Sequence, residues 1–275
     1  QLVSRKWRVH PTTIDLGDGV LIGEGGLSLM AGPCSIEDEG QIEAIIGHLQ
    51  AQDIRIMRGG VYKPRSSPYS FRGLGIEGLK LWHGMARAAG IKIITEVMQV
   101  SQIEEMIDYV DIFQVGARNT QNFNLLDALG EVDKPVLLKR GISGTIDELL
   151  HSAEYIFSGG NEKILLCERG IRSYESAYRN TMDINAIAML KEKSHLPVIA
   201  DPSHGVGLRP FVEPVALASI MAGADGLIYE IHPVPEQAKS DAQQTLSFYQ
   251  SAELVRKSRA LHALQIAGYP QFPAA

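Results

Sequence analysis

The chain has 275 residues, about 45% of them hydrophobic, with a formal net charge of −6 and an isoelectric point near 5.8. That is enough apolar material for a full core in one or two domains, and the acidic balance argues against a general nucleic-acid binder. No run approaches the roughly 18 apolar residues of a membrane span, the opening QLVSRKWRVH lacks a secretory apolar stretch, and two cysteines are too few for a disulfide scaffold, so a reduced, cytoplasmic setting is expected.

In chain order, TTIDLGDGVLIG (12–23) flanks Asp18-Gly19 with apolar runs, the signal of a β-hairpin. Eight short β-rich runs follow: LSLMAGPCS (27–35), IRIMRGGVYK (54–63), IKIITEVM (91–98), DIFQVGA (111–117), PVLLKRG (135–141), KILLCERG (163–170), PVIADPSH (197–204) and GLIYEIHP (226–233). Segments with helical spacing lie between most of them, among them EDEGQIEAIIGHLQAQ, GIEGLKLWHGMARAAG and DELLHSAEYIF. Alternation of this kind predicts a parallel sheet of α/β class, and the count of eight points to a closed (β/α)8 TIM barrel. An open doubly wound sheet is the alternative, but its opening glycine fingerprint is missing. The hairpin would cover the bottom of the barrel, and a helix from about Lys239 to Gln265 would complete it. The expected organisation is an extension at 1–26, a barrel at 27–265 and a tail at 266–275.

Catalytic groups of such barrels sit at the C-terminal ends of the strands, and here those ends are rich in reactive side chains. Strand eight of a closed barrel pairs with strand one, so Cys34, His204 and Glu230 should converge on one side of the mouth. Asp241, in the segment after strand eight, can turn back over them. Thiolate, imidazole and two carboxylates suit a divalent transition metal; the alternative is a packed cysteine beside a hydrogen-bonded histidine. Manganese, iron, cobalt and zinc all fit so mixed a donor set. Cys167, inside LLCERG, reads as packing.

Cations occupy the opposite arc. RGGVYKPRSSPYSFRG (58–73) holds Arg58, Lys63, Arg65 and Arg72 and no acidic residue, and Arg118, Lys139 and Arg169 follow strands four, five and six. A cation at the end of an apolar strand needs an anion to meet it, and guanidinium forks suit phosphate. So many cations fit two phosphorylated substrates, or a phosphate with a carboxylate. Pro64 and Pro68 would stiffen the loop, while Ser66 and Ser67 would add donors for phosphate oxygens.

Taken together, AGPCSIE, GGVYKPRSSPYSFRG, FQVGARN, LLKRG, LCERG, ADPSHGVG, YEIHP and SDAQQ resemble the type I-beta 3-deoxy-D-arabino-heptulosonate 7-phosphate (DAHP) synthases, in order, from about Leu27 to Phe248. The resemblance implies condensation of phosphoenolpyruvate with erythrose 4-phosphate, the first step of the shikimate route to aromatic amino acids. It implies a divalent metal, manganese foremost, on Cys34, His204, Glu230 and Asp241. Phosphoenolpyruvate would meet Arg58, Lys63, Ala117, Arg118, Lys139 and Arg169, and the sugar phosphate Arg65 and Ser66, where threonine is common in the family. Lys63, Glu96, Lys139 and His204 are the catalytic candidates, Lys139 and Glu96 for proton transfer. The family also implies a homo-oligomer, a dimer or tetramer. The 3-deoxy-D-manno-octulosonate 8-phosphate synthases share the barrel and the AGPC motif, but the Lys63-Pro64-Arg65 segment favours the four-carbon sugar. About 26 residues precede the first barrel strand, too few for the fused regulatory domain some relatives carry, so built-in feedback inhibition is not expected. A Schiff-base aldolase using Lys139 and a non-catalytic phosphosugar-binding protein are the remaining alternatives.

Overall fold

In the computed structural model, residues 1–23, 25–62, 69 and 71–267 are described. Strands β3 (Ser28–Gly32), β4 (Ile56–Gly59), β5 (Lys92–Glu96), β6 (Ile112–Val115), β7 (Val136–Lys139), β8 (Ile164–Glu168), β9 (Val198–Ala200) and β10 (Gly226–Glu230) close into one parallel barrel. β10 pairs with β3, Glu230 opposite Gly32, as the eight-strand reading requires. Helices α1 (Glu39–Ala51), α2 (Gly75–Ala88), α3 (Ser101–Met106), α4 (Phe123–Gly130), α5 (Ile146–Ser158), α6 (Ile184–Lys193), α7 (Pro202–Val206), α8 (Arg209–Met221) and α9 (Phe248–Ala267) fall between and after the strands. None is long and apolar enough to cross a membrane.

Side chains alternate along a strand, and this alternation splits the core. One set, including Phe113, Leu138, Leu166 and Tyr229, packs outward against the helices. The other fills the barrel: Met30, Ile56, Ile94, Ile112, Leu137, Leu165, Cys167, Ile199 and Ile228. Cys167 is therefore packing, as its sequence context suggested; burial pushes its thiol pKa up, so it stays neutral.

β1 (Ile14–Asp15) and β2 (Leu21–Ile22) pair antiparallel. Asp18 and Gly19 both have positive φ (54° and 75°), and Val20 N–H donates to the Gly17 carbonyl at 3.0 Å. Those are the requirements of the tight turn favoured in hairpins, which Asp-Gly meets at low cost. Ile14, Val20 and Ile22 join the interior cluster and cap the barrel.

The last helix departs from expectation: α9 begins at Phe248, not near Lys239. Asp241 takes a left-handed conformation (φ 51°), incompatible with a helix interior. Beyond it Leu246 N–H donates to the Glu230 carbonyl at 2.9 Å, and His232 N–H to the Leu246 carbonyl at 3.0 Å. The segment extends the sheet past β10 instead of coiling, and it carries Asp241 over the mouth.

Candidate active site

The interior layer explains where the polar groups stand. Two residues beyond an inward-facing apolar side chain, on the same face, comes a reactive one: Ile56 then Arg58, Ile94 then Glu96, Ile112 then Gln114, Leu137 then Lys139, Cys167 then Arg169, Ile199 then Asp201, Ile228 then Glu230. The apolar layer is the floor of a cavity of about 410 Å³, walled by Arg58, Glu96, Gln114, Lys139, Arg169, His204 and Asp241, with Ala117, Arg118 and Arg172 among the remaining lining residues. Arg72 is exposed and lies outside this lining. Lys63, Arg65 and Ser66 lie outside the described residues.

On one side Cys34, Glu230 and Asp241 offer ligand atoms that all lie within 4.8 Å of one another. Cys34 Sγ is 3.2 Å from Asp241 Oδ2. His204 Nε2 faces the same group, 3.5 Å from Glu230 Oε1 and 3.9 Å from Asp241 Oδ2. The four residues named from sequence are thus brought together, and soft sulfur with imidazole and carboxylate oxygen is a donor set that fits a divalent transition metal.

His204 is oriented by Asp201, a strand-end residue to which the sequence assigned no role. Asp201 caps α7: its Oδ1 accepts from His204 N–H at 3.1 Å, and Pro202 opens the helix. Its Oδ2 takes the imidazole Nδ1 at 2.8 Å. A carboxylate only accepts, so Nδ1 donates to it, and Nε2 is the ring nitrogen turned toward Glu230 and Asp241. The signal was present in DPSH, an aspartate three residues before a histidine with proline between.

On the other side Lys139 Nζ lies 2.5 Å from Asp201 Oδ2. Asp201 is fully buried, which works against its charge, yet His204 and Lys139 hold its pKa well below the ordinary carboxylate value. Arg58 donates through Nη1 to the Pro33 carbonyl at 2.7 Å and to Glu230 Oε1 at 3.1 Å. Burial opposes its charge too, but Glu230, then Cys34, Asp201 and Asp241, raise its pKa overall. Its Nε is buried without a hydrogen-bond partner among the described residues.

Arg169 differs. It is only 6% exposed, and among the described residues its guanidinium makes one long hydrogen bond, 3.4 Å to the Gly170 carbonyl. Burial, with Arg179 nearby, lowers its pKa. A buried cation so poorly matched carries an uncompensated desolvation cost. Arg118 is exposed at the rim, beside Ala117. Glu96 projects from the end of β5, and a Cβ on Gly116 would meet its Oε1 at 2.0 Å; glycine leaves the carboxylate its place.

A family model described as the DAHP synthetase I family matches residues 10–264. The phospho-2-dehydro-3-deoxyheptonate aldolase of Thermotoga maritima is 48% identical over 261 residues, covering 95% of this chain and 77% of its own length. The crystal structure of that aldolase superposes with a TM-score of 0.93 at 47% identity, over 96% of this chain and 77% of its own. A truncated form of the Thermotoga maritima 3-deoxy-D-arabino-heptulosonate 7-phosphate synthase gives 0.89 at 44% identity, over 95% of this chain and 96% of its own. A 2-dehydro-3-deoxyphosphooctonate aldolase from Syntrophotalea carbinolica is 30% identical over 273 residues, 92% of this chain and 97% of its own. With the barrel, the convergent mouth and these likenesses in agreement, the chain belongs to the DAHP synthetase I family of enzymes.

Proposed function

We propose that this enzyme condenses phosphoenolpyruvate with erythrose 4-phosphate and water, giving 3-deoxy-D-arabino-heptulosonate 7-phosphate and inorganic phosphate. The observation that carries the reading is one cavity lined by buried Arg58, Lys139 and Arg169 and reached on one side by His204 and Asp241, behind which Cys34 and Glu230 complete a thiol, imidazole and carboxylate donor set. Higher identity to the heptonate enzyme than to the octonate one, 48% against 30%, supports the four-carbon sugar. So does the KPRSS segment, by its resemblance.

Cys34, His204, Glu230 and Asp241 would hold a divalent ion, manganese foremost, which when bound supplies Lewis-acid polarisation of the sugar aldehyde. Arg169, Arg58 and Lys139, with Arg118 and Lys63, hold the phosphate and carboxylate of phosphoenolpyruvate. Arg65 and Ser66 hold the sugar phosphate. Fixing both partners in one orientation removes several kcal/mol of barrier. Carbon 3 of phosphoenolpyruvate then adds to the aldehyde carbon, the C=O π electrons pass to the aldehyde oxygen, which ends as a hydroxyl, and positive charge grows at carbon 2. Water adds there and gives a proton to Glu96, whose carboxylate opens onto the cavity. Lys139, paired with the Asp201 carboxylate, serves as donor, protonating the departing phosphate as the carbon 2–oxygen bond breaks; the carbon 2 hydroxyl gives up its proton to restore Lys139 as the keto group forms, and the proton on Glu96 passes through solvent to the new alkoxide.

The test is phosphate release from phosphoenolpyruvate and erythrose 4-phosphate by the chelator-stripped chain, before and after manganese addition. Turnover that needs the metal supports the reading. Undiminished turnover in the stripped chain overturns the metal-assisted mechanism, and no turnover when metal-loaded overturns the reaction.

A further inference from the structure

Each carboxylate of the donor set turns one oxygen inward. Glu230 Oε1 faces His204 and Arg58, and Asp241 Oδ2 faces Cys34 and His204. The outward oxygens are held by two residues that lie outside the donor set. Gln244, 1% exposed, donates from Nε2 to Glu230 Oε2 at 2.7 Å. Its Oε1 accepts from Arg179 Nη1 at 3.0 Å, and the same Nη1 lies 3.2 Å from Asp241 Oδ1.

The amide orientation is forced. A guanidinium only donates, so the oxygen of Gln244 must face Arg179 and the nitrogen must face Glu230. The result is a continuous chain, Asp241 to Arg179 to Gln244 to Glu230, that spans the two carboxylates from behind. Its supports are local. The turn bearing it is fixed by Gln244 N–H to the Asp241 carbonyl at 3.2 Å and Arg209 Nη2 to the Ala242 carbonyl at 2.9 Å. Gly207 lies under the Arg179 stem, where a Cβ would come within 2.4 Å of Arg179 Cβ.

We propose that Gln244 and Arg179 act as one positioning relay that sets the two carboxylates for metal binding, turning Glu230 Oε1 and Asp241 Oδ2 into the site. This rests on the metal reading of Cys34, His204, Glu230 and Asp241. Neither residue needs to touch the ion. The relay offsets the mutual repulsion of two anionic ligands before the cation arrives, and it restricts each to one inward oxygen.

The experiment titrates Mn2+ into the stripped full chain, following the electron paramagnetic resonance of the free ion, and records Co2+ spectra of the same samples. Gln244→Leu, similar in size but unable to hydrogen-bond, should lose about 10- to 100-fold in Mn2+ affinity. Arg179→Met should lose affinity in the same direction, and Arg179→Lys, which keeps a donor, should recover part of it. The double variant should lose no more than the larger single loss, because both belong to one chain of bonds. The sulfur-to-cobalt charge-transfer band of Cys34 should persist but shift. Affinity of metal-free Gln244→Leu for phosphoenolpyruvate should stay within about twofold of the parent, because Gln244 lies outside the cavity lining. Parent-like Mn2+ affinity in both single variants, or fully additive losses, would overturn the relay. A matching loss of phosphoenolpyruvate affinity in Gln244→Leu would also overturn it, as general disorder of the mouth. Should Gln244→Leu fail to fold, the Arg179 variants decide, since that side chain is 44% exposed. A parent chain that takes up neither Mn2+ nor Co2+ would instead overturn the metal reading beneath it.

Discussion

Lys139 and His204 reach the same atom: Nζ of one and Nδ1 of the other lie 2.5 and 2.8 Å from Oδ2 of Asp201. The cationic arc and the donor set are therefore joined through one buried oxygen. Asp201→Asn removes the charge that both groups answer. Breaking such a buried pair costs about 3–5 kcal/mol, so urea unfolding should shift to markedly lower concentration. Mn2+ affinity should fall as well, by about 10- to 100-fold, because the His204 tautomer is no longer fixed. A variant of parental stability and metal affinity would show that Asp201 holds neither.

Two neighbouring arginines should respond in opposite ways. Arg140 is buried but matched, 2.9 Å from both Glu168 and Asp183 and 2.9 Å from the Gly144 carbonyl. Arg169 is buried and poorly matched. Arg140→Met should cost about 3–5 kcal/mol of stability by orphaning two carboxylates. Arg169→Met should leave stability unchanged or raise it by up to about 2 kcal/mol. The same change should weaken phosphoenolpyruvate about 10- to 100-fold, the value of hydrogen bonds to a charged ligand. Thermal unfolding and equilibrium binding on the two variants check both halves.

Glu96 is open to a test from behind. Gly116→Ala would drive a methyl group to 2.0 Å from Glu96 Oε1, so the carboxylate must move. A displacement of about 1 Å from productive geometry costs about 100-fold in rate. Both Gly116→Ala and Glu96→Gln should lower kcat with little change in KM for either substrate. A rise in KM without loss of kcat would assign Glu96 to binding instead.

His195 makes the N-terminal segment pH-sensitive. Its Nε2 donates to the Leu2 carbonyl at 2.9 Å, its Nδ1 meets Thr12 Oγ1 at 2.7 Å, and Trp7 and Phe157 pack near the ring. Burial lowers its pKa below the ordinary 6.5. A base depressed in the folded state contributes stability in full above the unfolded value and loses it as pH falls through the folded one. Hydrogen-exchange protection factors at residues 2–12, corrected for the intrinsic rate at each pH, should therefore be high at pH 8 and fall as pH drops below about 6.5. Flat protection across that window would contradict the assignment.

Much of this site was legible because period-two alternation and barrel closure do most of the placing. Cys34, His204 and Glu230 are distant in sequence, yet strands β9, β10 and β3 adjoin, so counting eight strands brings them together. The same alternation read two residues past each inward apolar side chain would also have found Gln114 and shown that Asp201 faces the cavity. The start of α9 was not legible. Nothing in SDAQQ announces that an aspartate will take a positive φ, and its composition suits a helix as well as a turn. Arg179 and Gln244 were hidden for another reason. Their roles come from loop geometry that brings 179 beside 241 and 244, with no spacing rule to signal it.

The most direct measurement of the central claim is the ratio of kcat/KM for erythrose 4-phosphate over arabinose 5-phosphate, with the manganese-loaded chain and saturating phosphoenolpyruvate. The ratio should lie well above one, with the seven-carbon 3-deoxy sugar phosphate as the product by mass. A ratio below one, with the eight-carbon product accumulating, would contradict it and assign the chain to the octulosonate reaction.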